Sequence, residues 1–223
     1  MSTPSLLDSL PQPLDNAAAD AVRTVYHLYD PPLWLVTAAA DQPNDEPPER
    51  RIRGGCIATF VARASIVRHL PRMVAGIARH HHTWQVIETS GRFALHLLPQ
   101  NSLDLVRRFG MHSGQDVDKF AGLADLRTAN GSPRVAGTLA WLDCRVETSL
   151  ITGDRSVYLA AVTGGGLANG LAGHVSEAVN EPPLTVGRLM ELAPAEMRAE
   201  LDRQYERDGV VDAEAIRAWR AQR

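Results

Sequence analysis

Residues 137–163 read GTLAWLDCRVETSLITGDRSVYLAAVT, the longest segment of the chain with strand character. Gly137–Leu150 is long enough for a strand with a bend. Thr152-Gly153-Asp154 is a turn signal, and Ser156–Thr163 has the apolar content of a returning strand. The stretch therefore predicts two strands joined by a tight turn.

Four more strand candidates precede this pair: Leu33–Ala40, Arg51–Val61, Met73–Ala78 and Arg92–Leu98. About six strands with few long helices between them are typical of a β-barrel or a β-sandwich. A doubly wound parallel sheet would need a helix after nearly every strand. No GxGxxG follows a strand, and Gly164-Gly165-Gly166 lacks its spacing, so a Rossmann dinucleotide site is not expected.

Helical periodicity appears between these strands and at both ends of the chain. The predicted helices are Asp15–Tyr29, Thr83–Ser90, Ser102–Phe109, Thr185–Leu192, Pro194–Arg207 and Asp212–Arg220. Thr83 stands near the N-cap of its helix, and Gly91 suits the position that ends it. The remaining polar or glycine-rich stretches, Met1–Pro13, Asp41–Glu49 and Gly164–Pro183, are expected to be an arm and loops.

Composition is that of an ordinary globular protein, with 44% apolar and 22% charged residues among 223. The net charge of -3 provides no basic field for nucleic acid or anionic lipid. Two cysteines without CxxC spacing, and no apolar run long enough to span a membrane, predict a reduced, cytoplasmic protein.

Two segments carry candidate chemistry. Arg79–Trp84, RHHHTW, opens a short helix, where main-chain N–H groups, a hydroxyl and several basic side chains favour an anion such as phosphate. The alternative is a solvated loop with a threonine N-cap. Cys56–Ser65 reads CIATFVARAS, and its small residues would leave the main-chain N–H and C=O groups of a strand edge accessible to a flat ring such as isoalloxazine. The alternative there is an ordinary core strand.

Metal and nucleophile chemistry have less support. Neighbouring histidines diverge on a strand or helix, so the three at positions 80–82 cannot all face one ion, and His69, His96 and His112 lack metal-ligand spacing. No metal site is therefore predicted. No GxSxG is present, and Cys56 and Cys144 are expected to be packed, unreactive thiols.

The order of several segments resembles the flavin reductase-like family, whose members use the FMN-binding split barrel. The similar segments span roughly residues 33–163 and are GGCIATFVARAS, HHHTWQVIETSGRFALHLL, VRRFG, DKFAGL, GSPRVAGTLAWLDCRVE and GDRSVYLAAV. The resemblance implies a mainly β fold with α-helices, an antiparallel Greek-key split barrel. It divides the chain into an N-terminal arm and helix (1–32), the barrel domain (33–163) and a C-terminal helical extension (164–223).

The resemblance also implies where a flavin would bind. The strand segment would hold the isoalloxazine ring and ribityl chain, and the turn before the short helix would hold the phosphate. The candidate cofactor-binding residues are Ala58, Thr59, Phe60, Val61, Ser65, His81, His82, Thr83 and Trp84. No side chain is expected to be catalytic, because hydride passes directly to flavin N5.

The implied activity is an NAD(P)H:flavin oxidoreductase acting on FMN or FAD, as a homodimer, with a monooxygenase as a partner. Three alternatives stay open: an FMN-bearing oxidoreductase acting on another small molecule, a non-catalytic flavin-binding or electron-transfer module, and a histidine metal site. Ala58 replaces the family's asparagine. Arg155 replaces the histidine of its Gly-Asp-His turn, which lies by the nicotinamide path.

Overall fold

The computed structural model describes residues 13–41, 52–167 and 181–222. The strands are β1 (Trp34–Ala40), β2 (Ile52–Ala58), β3 (Val61–Arg63), β4 (Arg72–Ala78), β5 (Arg92–Leu97), β6 (Ala140–Ile151) and β7 (Arg155–Leu167). The helices are α1 (Asn16–Leu28), α2 (His82–Ser90), α3 (Leu103–Gly110), α4 (Val186–Leu192) and α5 (Ala195–Ala221). The described part of the chain contains no helix that is both long and apolar enough to cross a membrane.

All seven strands form one antiparallel sheet in the order β2-β1-β5-β6-β7-β4-β3. Strands β2 and β3 lie at opposite edges of this sheet, yet only Thr59 and Phe60 separate them in the chain. The sheet must therefore curl until its two edges meet, and the amide of Gly76 in β4 donates to the carbonyl of Phe60 at 2.8 Å. This curled sheet confirms the predicted split barrel.

The long hairpin quoted above is present as β6 and β7. Its register shifts between Asp143 and Cys144 and again between Val146 and Thr148, which supplies the predicted bend. Gly153 has φ of +97° at the turn, a conformation that L side chains rarely adopt. The hairpin is the longest pairing in the sheet and carries the turn to the same end as the start of α2.

Two apolar clusters hold the molecule together. One lies inside the curled sheet and includes Val36, Phe93 and Tyr158, all nearly inaccessible to solvent. The other lies outside the sheet, where Leu35 meets Phe109 of α3, together with residues of α4 and α5. Successive residues of β1 thus face opposite clusters, as the two-residue period of a strand requires.

Three predictions about secondary structure are wrong. Arg51–Val61 is not one strand, because the chain bends at Thr59–Phe60 to close the barrel. The glycines 164–166 continue β7 instead of forming a loop, and a Cβ at Gly165 would lie 2.9 Å from the carbonyl oxygen of Trp141. The two last helices are one, α5, which tolerates Gly209 at a cost of about 1 kcal/mol.

The strand predicted at Gly137–Leu150 begins three residues later, at Ala140, and the short strand Val61–Arg63 was not predicted as a separate strand. The other predicted helices and strands begin and end within one or two residues of the observed bounds. All but Asp41 of the predicted loop at Asp41–Glu49, all but Pro13 of the predicted arm Met1–Pro13 and most of Gly164–Pro183 lie outside the described residues.

Candidate functional site

The histidine-rich turn leads into α2 at the surface of β2. His81 is the N-cap residue of α2, and its side chain accepts no capping hydrogen bond from the described residues. Thr83, predicted near the N-cap, is the second residue of the helix, and its side chain is buried. The helix lies directly on the strand, since a Cβ at Gly54 would be 2.8 Å from the Cα of Thr83. The first turn of α2, whose initial N–H groups have no partner within the helix, therefore lies beside β2.

A cavity of about 250 Å³ occupies that space. It lies between β2, the start of α2, the segment after α3, and α5. Its lining residues are Cys56, Ile57, His80, His81, His82, Thr83, Phe109, Gly110, Met111, His112, Ser113, Gly114, Lys119, Gln204, Arg207 and Asp208. Basic and hydrogen-bonding side chains predominate among them.

Lys119 is the most informative lining residue because it is the only lysine in the chain and it is buried. Its Nζ donates to the carbonyls of Gly55 and Phe109, both at 2.9 Å. Burial lowers the pKa of Lys119 below its usual range. Neither partner carries a negative charge, and no carboxylate of residues 13–41, 52–167 and 181–222 forms an ion pair with Nζ, so the uncompensated ammonium favours an anion in the cavity.

His81 contributes polarity to this wall but little charge. Burial lowers the pKa of His81 to about 4, and the neighbouring charge of His80 adds to the effect. The imidazole is therefore neutral near pH 7, with one nitrogen free to donate and the other to accept.

Helix α5 forms the opposite wall and is fixed by contacts to two loops. Gln204 donates to the carbonyl of Gly110 at 2.8 Å. His80 has its Nε2 3.7 Å from Asp208 and its Nδ1 3.4 Å from Asp212. Asp212 also accepts from Arg155 at the hairpin turn at 2.8 Å.

The predicted binding residues fall into separate groups. His81, His82 and Thr83 line the cavity together. Trp84 does not, because its indole N–H donates to Ser156 at 2.9 Å and the guanidinium of Arg79 lies over its ring.

The five strand residues do not line the cavity either. Ala58 and Val61 are buried in the barrel core, whereas Thr59 is exposed. The ring of Phe60 packs on Gly76, and the hydroxyl of Ser65 accepts from the amide of Val67 at 3.0 Å. All five follow directly along the chain from Cys56 and Ile57, which do line it.

Four lining residues were not predicted from the sequence: Lys119, Gln204, Arg207 and Asp208. Lys119 had a signal, because it belongs to the DKFAGL segment that resembles the family. The three residues of α5 had none, since only the packing of a distant helix brings them to the turn.

The two thiols and His96 are packed groups. Burial raises the pKa of Cys56, and it raises that of Cys144 to about 12, so neither is an active nucleophile. His96 is buried, with Nδ1 3.2 Å from the carbonyl of Leu35 and Nε2 accepting from the amide of Val135. It therefore does not join the histidines of the turn.

Known proteins similar in sequence match most of this chain. Residues 26–186 match the model of the flavin reductase like domain. A flavin reductase of Pseudomonas putida is 30% identical over 156 residues, which cover 67% of this chain and 85% of that protein. The reductase subunit HsaB of a flavin-dependent monooxygenase of Mycobacterium tuberculosis is 40% identical over 80 residues, covering 36% of this chain and 41% of HsaB.

The fold has relatives among solved structures as well. The NADH:FAD oxidoreductase SgcE6 of Streptomyces globisporus C-1027 superimposes with a TM-score of 0.60 at 18% identity. The match covers 78% of this chain and 92% of SgcE6. At that identity the likeness supports the split-barrel fold alone.

Proposed function

This chain belongs to the flavin reductase-like family and is an oxidoreductase of the flavin reductase type, and we propose that it reduces FMN or FAD with NAD(P)H. The observation that supports a flavin site in this chain is the uncompensated ammonium of Lys119 in a cavity at the start of α2. A flavin mononucleotide carries its negative charge at one end, on the phosphate. Such an end suits a cavity lined by cationic and N–H donors.

The phosphate would be held by Lys119, the hydroxyl of Thr83 and the first N–H groups of α2, with His81 and His82 beside it. Arg207 of α5 adds a second cationic side chain on the facing wall. The neutral imidazole of His81 contributes a hydrogen bond without a desolvated charge of its own.

A cavity of about 250 Å³ suits the phosphate end and leaves the ring outside. Strand β2 leads from Cys56 and Ile57 in the cavity wall to Thr59 in about three residues, or roughly 10 Å at the usual strand rise. The proposed ring site is therefore the exposed bend at Thr59–Phe60 and the segment to Ser65, with Ala58 and Val61 supporting it from the core. Trp84 would support α2 through its bond to Ser156 without touching the phosphate.

When bound, the flavin supplies the hydride acceptor, N5, and the nicotinamide C4 supplies the hydride. The protein needs only to align the two rings and exclude side reactions, so no side chain acts as an acid or base.

A specific observation favours one alternative, an FMN-bearing oxidoreductase or electron carrier that does not use free NAD(P)H. In the family that the chain resembles, the Gly-Asp-His turn lies by the nicotinamide path. Here Arg155 replaces the histidine and is bound by Asp154 and by Asp212 of α5. Reduced access at this turn would slow nicotinamide oxidation without affecting flavin affinity.

Anaerobic reduction tests the proposal. Purified protein is titrated with FMN and with FAD, and NADH or NADPH is then added while the flavin absorption is followed. Bleaching at a rate above that of flavin alone supports flavin reduction. Binding without bleaching supports the carrier alternative, and absence of binding by either flavin rejects the site.

A matched set of variants tests the phosphate end. Thr83→Ala should weaken FMN binding several-fold, whereas Thr83→Ser should not. Thr89→Ala is the control, because Thr89 lies on the exposed end of the same helix and its hydroxyl donates to the carbonyl of Gln85. Equal FMN affinity in Thr83→Ala and Thr89→Ala would remove Thr83 from the site.

We further propose a homodimer and a monooxygenase partner. Support for the dimer comes from exposed apolar side chains on α1 and on the segment after β3: Val25, Tyr26, Leu28, Ile66 and Leu70. Support for the partner comes from the relative HsaB, named a monooxygenase reductase subunit. Sedimentation equilibrium of the protein alone tests the dimer, with a concentration-independent monomer as the contrary result.

A further inference from the structure

We propose that His80, His81 and Asp208 form a binding site for a divalent transition-metal ion, with Zn²⁺ as the best match for this ligand set. One ligand atom from each residue lies within 4.8 Å of the other two. Two imidazoles and one carboxylate are a common protein ligand set for Zn²⁺ when a further position stays open.

The spacing is close to what coordination needs. Ligands about 2.1 Å from a tetrahedral ion lie roughly 3.4 Å from each other. The Nε2 of His80 is 3.7 Å from a carboxylate oxygen of Asp208, and the rings of His80 and His81 are edge to face with centroids 4.6 Å apart. An ion would draw the three ligand atoms from their present spacing, within 4.8 Å of one another, to about 3.4 Å.

The two histidines are neighbours in the chain, and the expectation that neighbours diverge holds for strands and helices. These two lie at a turn, with His81 in extended conformation at the N-cap of α2. The third ligand comes from α5, more than a hundred residues away. The site therefore joins two distant segments instead of arising from one local motif.

A second carboxylate occupies the position expected of an outer-shell partner. Metal-bound histidines usually donate their other ring N–H to a carboxylate, which fixes the tautomer. The Nδ1 of His80 faces Oδ1 of Asp212 at 3.4 Å, and this oxygen is buried without a hydrogen bond. Its other oxygen is held by Arg155 at 2.8 Å, so the carboxylate is already oriented.

The cavity supplies the open coordination position. All three ligands line it, and the donors on its other walls favour an anion or a water molecule there. The protein alone supplies the ligands, so the metal site does not depend on the proposed flavin reduction.

Metal binding is tested without flavin. Untagged protein is stripped with a chelator and titrated with Zn²⁺ by calorimetry, with one ion per chain expected. His80→Gln and Asp208→Asn should each weaken binding at least tenfold, and Asp212→Asn about tenfold, as for other outer-shell partners. His112→Gln is the control, because His112 lines the same cavity outside the cluster.

A measurement on the unaltered protein keeps the test independent of variant folding. Pulsed electron paramagnetic resonance of the protein loaded with Cu²⁺ should detect two coordinated imidazoles. Absence of stoichiometric Zn²⁺ binding, binding unchanged in both His80→Gln and Asp208→Asn, or fewer than two imidazoles on Cu²⁺ would each overturn the site. None of these results bears on flavin affinity.

Discussion

Arg155 at the hairpin turn donates to Asp212 of α5 at 2.8 Å. The same guanidinium also holds Asp154 at 2.6 Å, so one side chain links the turn to the C-terminal helix. Helix α5 lies beyond residues 26–186, the part of the chain that matches the family. The barrel and its extension are thus joined where the resemblance places the nicotinamide path.

We expect a measurable coupling between Arg155 and Asp212. Both side chains are partly buried, so their ion pair is screened less than a surface pair. A double-mutant cycle with Arg155→Ala and Asp212→Ala, followed by urea unfolding, should give a coupling of about 1 kcal/mol. Additive effects within about 0.3 kcal/mol would show that the contact does not anchor α5.

Gly153 tests the packing of α5 by a different route. A Cβ there would be 2.9 Å from the Cβ of Trp219 and 3.0 Å from the Cα of Ile216. Gly153→Ala should therefore lower the free energy of unfolding by about 2–4 kcal/mol, combining backbone strain with overpacking.

The matched control is Gly122→Ala, which has φ of +74° and no atom within 4 Å of its Cβ. It carries the backbone strain alone, about 1 kcal/mol. Equal losses in the two variants would mean that α5 does not press on the turn.

Lys119 gives a direct chemical test of the anion cavity. Because Lys119 is the only lysine in the sequence, the acetylation rate of its side chain can be measured by mass spectrometry without interference from other side-chain amines. FMN should slow its acetylation several-fold if the phosphate contacts Nζ. Riboflavin, which lacks the phosphate, is the matched control and should protect it much less.

Substitution of the same residue separates binding from stability. Lys119→Met removes the charge and keeps the length, so FMN affinity should fall by at least about tenfold, or 1.4 kcal/mol. Stability should change little, because the cost of burying an ammonium without a counter-ion offsets the two hydrogen bonds to carbonyls that the substitution removes. Arg23→Met on exposed α1 makes the same change in net charge and should leave FMN affinity unchanged.

The sequence was informative about the barrel and less so about the cavity. Strands such as Leu33–Ala40 and Arg92–Leu98 were predictable because apolar residues and turn residues bound them locally. The bend at Thr59–Phe60 was not, since barrel closure and not propensity imposes it. Arg207 and Asp208 reach the cavity only through tertiary packing of α5, which no local pattern encodes.

His96 predicts how stability depends on pH. Burial lowers its pKa to about 4, and its Nε2 must stay unprotonated to accept from the amide of Val135. The unfolded chain binds a proton near pH 6.5, whereas the folded protein does not. The contribution of His96 to the free energy of unfolding is therefore fully present above about pH 7. It is lost as the pH falls from 6.5 toward 4, which lowers the free energy of unfolding by up to about 3 kcal/mol.

Urea unfolding between pH 7.5 and 5 checks this effect in a range where most carboxylates stay ionised. His96→Gln cannot titrate, so its unfolding free energy should be lower at pH 7.5 but should fall less steeply with acid. His69→Gln, in an exposed segment, should keep the slope of the unaltered protein. If the free energy of unfolding of His96→Gln fell equally steeply with acid, the pH dependence would belong to other groups, because this variant has no imidazole at position 96 to protonate.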